Sequence, residues 1–189
     1  MLIPGEEHVM RADARRNYER LLGEAARAFA EHGVDASLEE IARRAGVAIG
    51  TLYRHFPTRN ALLEALLRDR FDRHAEAATG LLTSTGPLTA LRTWTRAVVG
   101  ASTSYRGLVE TMADALADET SALHRSCEAM RGAAGRLVAR AQDAGELRPD
   151  VTTGEVLLAV HAAGWAAERG GSLDRQLDLV FDGLRAVRS

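Results

Sequence analysis

The sequence predicts an all-α protein of about nine helices, with a small helical unit at its N-terminal end and a larger one behind it. Three observations carry this. Ala, Leu, Arg and Glu recur at helical spacing nearly throughout. Aromatic residues make up only 5% of the chain and alternating β-branched runs are absent, which removes the usual signal for strands. The 46% hydrophobic content of 189 residues is ample for a core in one or two small domains.

Taken in order, residues 1–12 mix Pro, Gly and charge without periodicity and read as a flexible arm. Asp13 can cap a first helix whose apolar stripe, Leu21, Leu22, Ala25, Ala26 and Phe29, runs on to His32, with Gly33 as its stop. Ser37 and Glu40 have capping-box spacing and start a short helix carrying Leu38, Ile41, Ala42 and Ala45. Gly46 supplies a turn, Val47 closes the core, and Ala48 to Phe56 forms a second short helix; an Ala at its first position cannot cap it. Pro57 stops that helix, and Thr58 can cap a long one that passes Leu62, Phe71 and His74 toward Leu82. Beyond the break at Thr83–Pro87, helices are expected over Leu88–Ser104, Gly107–Leu116, Ser121–Ala144, Thr152–Arg169 and Leu173–Val187. Thr152 and Glu155 repeat the capping-box spacing. The expected division is an arm at 1–12, a first unit at 13–57 and a second at 58–189.

The stretch from Gly46 to Arg59 reads Gly-Val-Ala-Ile-Gly-Thr-Leu-Tyr-Arg-His-Phe-Pro-Thr-Arg. At 3.6 residues per turn Leu52 and Phe56 fall one above the other and can plug a core, while Ile49, Gly50, Tyr53 and Arg54 face outward. Thr51, Tyr53 and His55 can donate to phosphate oxygens, Arg54 can bridge a guanine edge, and Ile49 suits a thymine methyl. Arg59, at the start of the long helix, can reach a phosphate. The run from Ser37 to Leu63 resembles the helix-turn-helix of TetR-family transcriptional regulators almost position for position, and Gly-Thr-Leu-Tyr-x-His-Phe carries most of the likeness. The set assigned to DNA is Ser37, Ile49, Gly50, Thr51, Tyr53, Arg54, His55 and Arg59. Arg11, Arg15, Arg16 and Arg20 gather where the resemblance puts the DNA backbone; a solvated face explains them equally well. From Ala141 onward, Ala-Gln-Asp-Ala-Gly-Glu-Leu-Arg-Pro-Asp-Val-Thr resembles the C-terminal regulatory domain of the SbtR-like branch.

That resemblance implies a regulatory domain with an inducer pocket, and Phe71, His74, Trp94, Val98, Tyr105, Met112, Cys127, Met130 and Trp165 are its candidate lining. His74, Arg70, His124, Arg131 and His161 are candidates to orient a polar group of a ligand. It also implies a homodimer in which the last two helices pair with their copies, through Ala159, Ala163, Ala167, Leu177, Phe181 and Leu184. The reading is a ligand-responsive repressor, released from a palindromic double-stranded DNA operator by a small-molecule inducer. The alternative is a DNA-binding or partner-binding module that uses the same helix-turn-helix without an inducer.

Other features narrow the class. The net charge of −2 provides no global basic field, so affinity for nucleic acid must come from local placement. All 24 Lys and Arg residues are Arg, best explained by coding composition. One cysteine, Cys127, excludes an internal disulfide and a Cys-paired zinc finger. His124, Cys127 and Glu128 are too few for a metal site, and no carboxylate pair, phosphate loop or Ser-His-Asp order appears. No enzyme activity, cofactor or metal is therefore expected. Residues 1–7 lack a basic segment followed by an apolar one, and no run approaches a membrane span, so a cytoplasmic protein is expected.

Overall fold

The computed structural model describes residues 4–84, 86–102 and 111–186. Among them the backbone forms nine helices and, in place of strands, one isolated bridge between Leu147 and Arg185. The helices are α1 (Pro4–His32), α2 (Leu38–Arg44), α3 (Ile49–His55), α4 (Arg59–Leu81) and α5 (Pro87–Ser102), followed by α6 (Ala113–Ala117), α7 (Ala122–Asp143), α8 (Thr153–Glu168) and α9 (Leu173–Leu184). Two compact units emerge. Residues 4–67 form the first, joined by Thr111–Asp114; the second takes residues 68–84, 86–102 and 115–186. The division therefore falls inside α4, ten residues beyond the expected boundary at Thr58.

In the first unit, α1 begins at Pro4 and not at Asp13, so most of the expected arm is helical. Proline has no N–H to lose at the first helical position and its fixed φ is already helical, which makes Pro4 a competent start. α1 packs on α2, and α2 on α3. Leu21, Ala25, Phe29, Leu38, Ile41, Ala45, Leu52 and Phe56 are all buried, each at the spacing expected for its helix. Burial of a Leu or Phe side chain contributes about 1.5–3 kcal/mol, so these residues outweigh the poor propensity of two seven-residue helices. Gly46, with φ +65°, makes the turn between α2 and α3, a conformation that costs other L-residues about 1 kcal/mol or more.

The second unit packs α5 against α7, α8 and α9, with α8 against α9. Its core contains Trp94, Val98, Val99, Met130, Leu137, Val160, Leu177 and Phe181, with Phe71 packed against it. The polar groups at its edges are matched. Trp94 Nε1 donates to the His74 carbonyl at 2.8 Å, Glu146 accepts from the Leu88 amide at the start of α5 at 2.8 Å, and Thr152 with Glu155 forms the expected capping box on α8. Arg96–Asp174 and Arg92–Asp178 pairs bind the exposed sides of α5 and α9. Among the described residues no helix is long and apolar enough to cross a membrane.

Gly164 lets α8 approach α5 closely: an added Cβ would lie well inside van der Waals contact with Val99 Cγ1. Gly164→Ala should therefore lower the unfolding free energy by about 1–3 kcal/mol. In a Val99→Ala background the clash is gone, and Ala should match or exceed Gly, by up to about 1 kcal/mol. Urea unfolding of the four proteins checks this; an equal loss in both backgrounds would refute the close packing.

Candidate nucleic-acid interface

The short helix α3 divides cleanly into an anchoring and an outward side. Leu52 is 0% and Phe56 2% exposed, whereas Ile49 and Tyr53 are 37% and 44% exposed. Gly50 and Arg54 are exposed as well, and the space where a Gly50 side chain would stand is open. Among the described residues Arg54 has no hydrogen-bond or ion-pair partner. Thr51 and His55 are half-buried. The anchoring is finished by Tyr18 of α1, whose ring lies 5.1 Å from that of Phe56 and 6.0 Å, edge-on, from that of His55. Sequence reasoning missed Tyr18; its signal is an aromatic three and four residues before Leu21 and Leu22, one turn along the apolar stripe of α1.

The ends of the small helices explain which groups remain available. Ala48 occupies the N-cap of α3 and provides no capping side chain, as its identity requires. Ser37 caps α2 by accepting from the Glu40 amide at 3.2 Å, but the reciprocal half of the expected capping box is replaced. Glu40 turns its carboxylate to Arg43 and Arg44, whose hydrogen bonds hold its pKa down to about 2. The Ser37 hydroxyl donates to Glu39 instead. Arg44 also reaches Glu31 of α1 at 2.9 Å and lowers its pKa. Glu31 and Glu40 are thus paired with arginines, and α3 itself carries no acid. Arg59 departs from expectation: its Nη1 donates to the Val34 and Ala36 carbonyls at 2.8 and 2.6 Å, so the guanidinium is turned into the loop before α2.

The second set of candidates does not stay together. Trp94, Val98 and Met130 belong to the core of the second unit, and Phe71 packs against it. Cys127 is half-buried and its thiol pKa is raised, chiefly by burial. Met112 is buried but groups with the first unit. Tyr105 lies outside the described residues. Trp165 corrects the expectation: it is 59% exposed, with Arg169 stacked 3.7 Å over its ring. His124 is held by the Leu116 carbonyl and His161 by that of Leu157, each through Nδ1 at 2.7 Å.

The residues assigned to the subunit contact also divide. Ala163, Leu177 and Phe181 lie in the core of their own unit and cannot face a partner. The apolar stripe of α9 covers α5 and α8. Ala159, Ala167 and Leu184 are half-buried. The apolar surface left over is Leu158 at 73% exposure, Trp165 and, on α9, Leu179 at 54%.

Comparison with known proteins follows this division. Residues 21–66 match the family described as bacterial regulatory proteins, tetR family, and residues 86–186 match the SbtR-like transcriptional regulator C-terminal domain. A TetR transcriptional regulator from Streptomyces coelicolor shares 37% identity, covering 90% of this chain and 99% of its own, with a TM-score of 0.73. A TetR regulatory protein from Mycobacterium vanbaalenii shares 36% identity over 94% of this chain and 99% of its own, with a TM-score of 0.68. The HTH-type regulators TtgW and SrpR of Pseudomonas putida are each 40% identical over 60 residues, 31% of this chain. Those matches span only 45% and 28% of the relatives' own lengths.

His74 generates a pH dependence. Its Nε2 is buried without a hydrogen-bond partner, and burial, then Arg70 and Arg73, lowers its pKa from 6.5 to about 4. Between those values the unfolded chain binds more protons than the folded one, so this residue's contribution falls as pH drops through the window and changes no further below about 4. His74→Leu should remove that component. The difference between wild-type and variant urea midpoints at pH 7, 5.5 and 4 measures it; a constant difference would mean that His74 protonates freely in the folded state.

Proposed function

The chain belongs to the TetR family of transcriptional regulators, and from that premise we propose that it is a ligand-responsive repressor reading a palindromic operator as a homodimer. The observation that carries the DNA reading is α3: a helix anchored by Leu52 and Phe56 that leaves Ile49, Gly50, Tyr53 and an unpaired Arg54 facing out. Arg54 reads a guanine edge, Ile49 and Gly50 lie close to bases, and Thr51, Tyr53 and His55 meet phosphates. Ser37 contributes a further phosphate contact by exchanging its bond to Glu39. Membership in a family of DNA-binding regulators also accords with the expectation that the chain is not an enzyme.

Two reading helices held at one spacing dock into successive major-groove half-sites. A small molecule entering the second unit near Phe71, Trp94 and Met130 would meet His74 Nε2, a buried ring nitrogen that lacks a hydrogen-bond partner, and would shift the spacing by repacking the helices around it. The subunit contact rests on Leu158, Trp165 and Leu179, the large apolar side chains that α8 and α9 leave exposed.

Selection from a random duplex pool tests the reading. Wild-type protein should enrich a near-palindrome, and Arg54→Ala should relax one position per half-site at a cost of about 1–3 kcal/mol. An unchanged consensus would remove Arg54 from base recognition.

The contact has its own test. Leu158→Arg with Trp165→Arg should keep native helix content, because both side chains are exposed within one subunit, yet sediment as a monomer and lose the selected duplex. A dimer with undiminished affinity would place the contact on another face.

A further inference from the structure

Arg59 is the first residue of α4, and one nitrogen of its guanidinium is committed within the protein. Nη1 donates to the Val34 carbonyl at 2.8 Å and the Ala36 carbonyl at 2.6 Å. Ala36 is buried and immediately precedes Ser37, the N-cap of α2. An Nη nitrogen has two protons, so both are used, one on each carbonyl. The surroundings reinforce the attachment. The Glu39 carboxylate, held down first by its own backbone N–H and then by Ser37, is lowered further by the Arg59 charge.

These contacts link the first turn of α4 to the first turn of α2. The loop between α1 and α2 has few bonds of its own, the Ala36 amide to the Gly33 carbonyl at 3.2 Å being one. Without Arg59 two of its carbonyls would depend on water, and the entry angle of α2 would be less well defined. α2 in turn packs against α3. We propose that Arg59 is a positioning residue for DNA reading, which fixes α2, and through it α3, to the start of α4, and is not a phosphate donor. Any displacement of the first turn of α4 is delivered by this bond to the N-cap of α2. The inference rests on the reading of the chain as a DNA-binding protein.

The two roles for Arg59 differ in salt dependence. A phosphate contact releases counterions, and its loss lowers the slope of log affinity against log salt by about 0.9 for each copy of the residue engaged. A positioning residue changes affinity and leaves that slope alone. The measurement uses the duplex enriched by wild-type protein, titrated at several salt concentrations with wild type, Arg59→Ala and Arg59→Gln. Arg59→Ala should bind on the order of tenfold more weakly with an unchanged slope, and in the free protein the amides of residues 39–41 should exchange at least about tenfold faster. Arg59→Gln, which still offers the loop a donor, is read by the same slope and decides the matter where Arg59→Ala does not fold. A lower slope in either variant, or wild-type affinity in Arg59→Ala, overturns the positioning role alone. A wild-type protein that enriches no duplex overturns the DNA reading and this inference with it.

Discussion

A seven-residue helix with alanine at its N-cap does not persist in water by itself, and α3 exists because Leu52 and Phe56 are buried. That one constraint determines much else in the first unit. Two anchors a turn apart leave the other faces of the helix without a packing task, so its outward residues are free to be chosen for what they touch. Tyr18 adds a ring against Phe56 and His55, and the Glu31–Arg44–Glu40 chain ties α1 to α2 on the outside. Exposed ion pairs contribute little to stability, so the chain of charges is better understood as setting the sign of the surface than as holding it together. With Glu31 and Glu40 paired to arginines and no acid on α3, this side of the unit can approach a polyanion although the whole protein is slightly acidic.

The second unit solves a different problem. Its helices are rich in small residues, which lower the side-chain volume available to fill a core but allow backbones to come close. Gly164 against Val99 is the clearest case. Close approach lets Trp94 and Phe181, the two largest fully buried side chains, occupy the interior with their neighbours in contact. Trp94 is positioned by its indole N–H on the His74 carbonyl, so one residue of α4 both orients the largest core side chain through its backbone and presents a buried ring nitrogen with no hydrogen-bond partner. A shift of α4 at His74 is felt by Trp94 through this bond.

What was legible in the sequence was what depends on local order. The turn at Gly46, the uncapped start at Ala48, the Thr152 and Glu155 box and the inward pair Leu52 and Phe56 all follow from residue type at fixed spacing. What was not legible depends on which distant group a side chain meets. Arg59 has the reach to touch a phosphate, and only the fold brings two loop carbonyls within 2.8 Å of it. Glu40 stands three residues after Ser37, but Arg43 and Arg44 attract its carboxylate more strongly than one backbone N–H does.

The same distinction explains the dimer helices. A regular apolar stripe on α9 draws the eye as surplus surface, yet a regular stripe is what a helix needs to cover its own core, and Leu177 and Phe181 are spent there. Surplus shows itself as apolar residues that break the stripe. Leu179 stands between Leu177 and Phe181 and, at 100° per residue, must point away from both. Leu158 and Trp165 stand seven apart on α8, about two turns, and so share a face that the buried Val156, Val160 and Ala163 do not. Within one subunit that face has no core to cover, and the free energy of leaving Leu and Trp in water is what a second copy would recover.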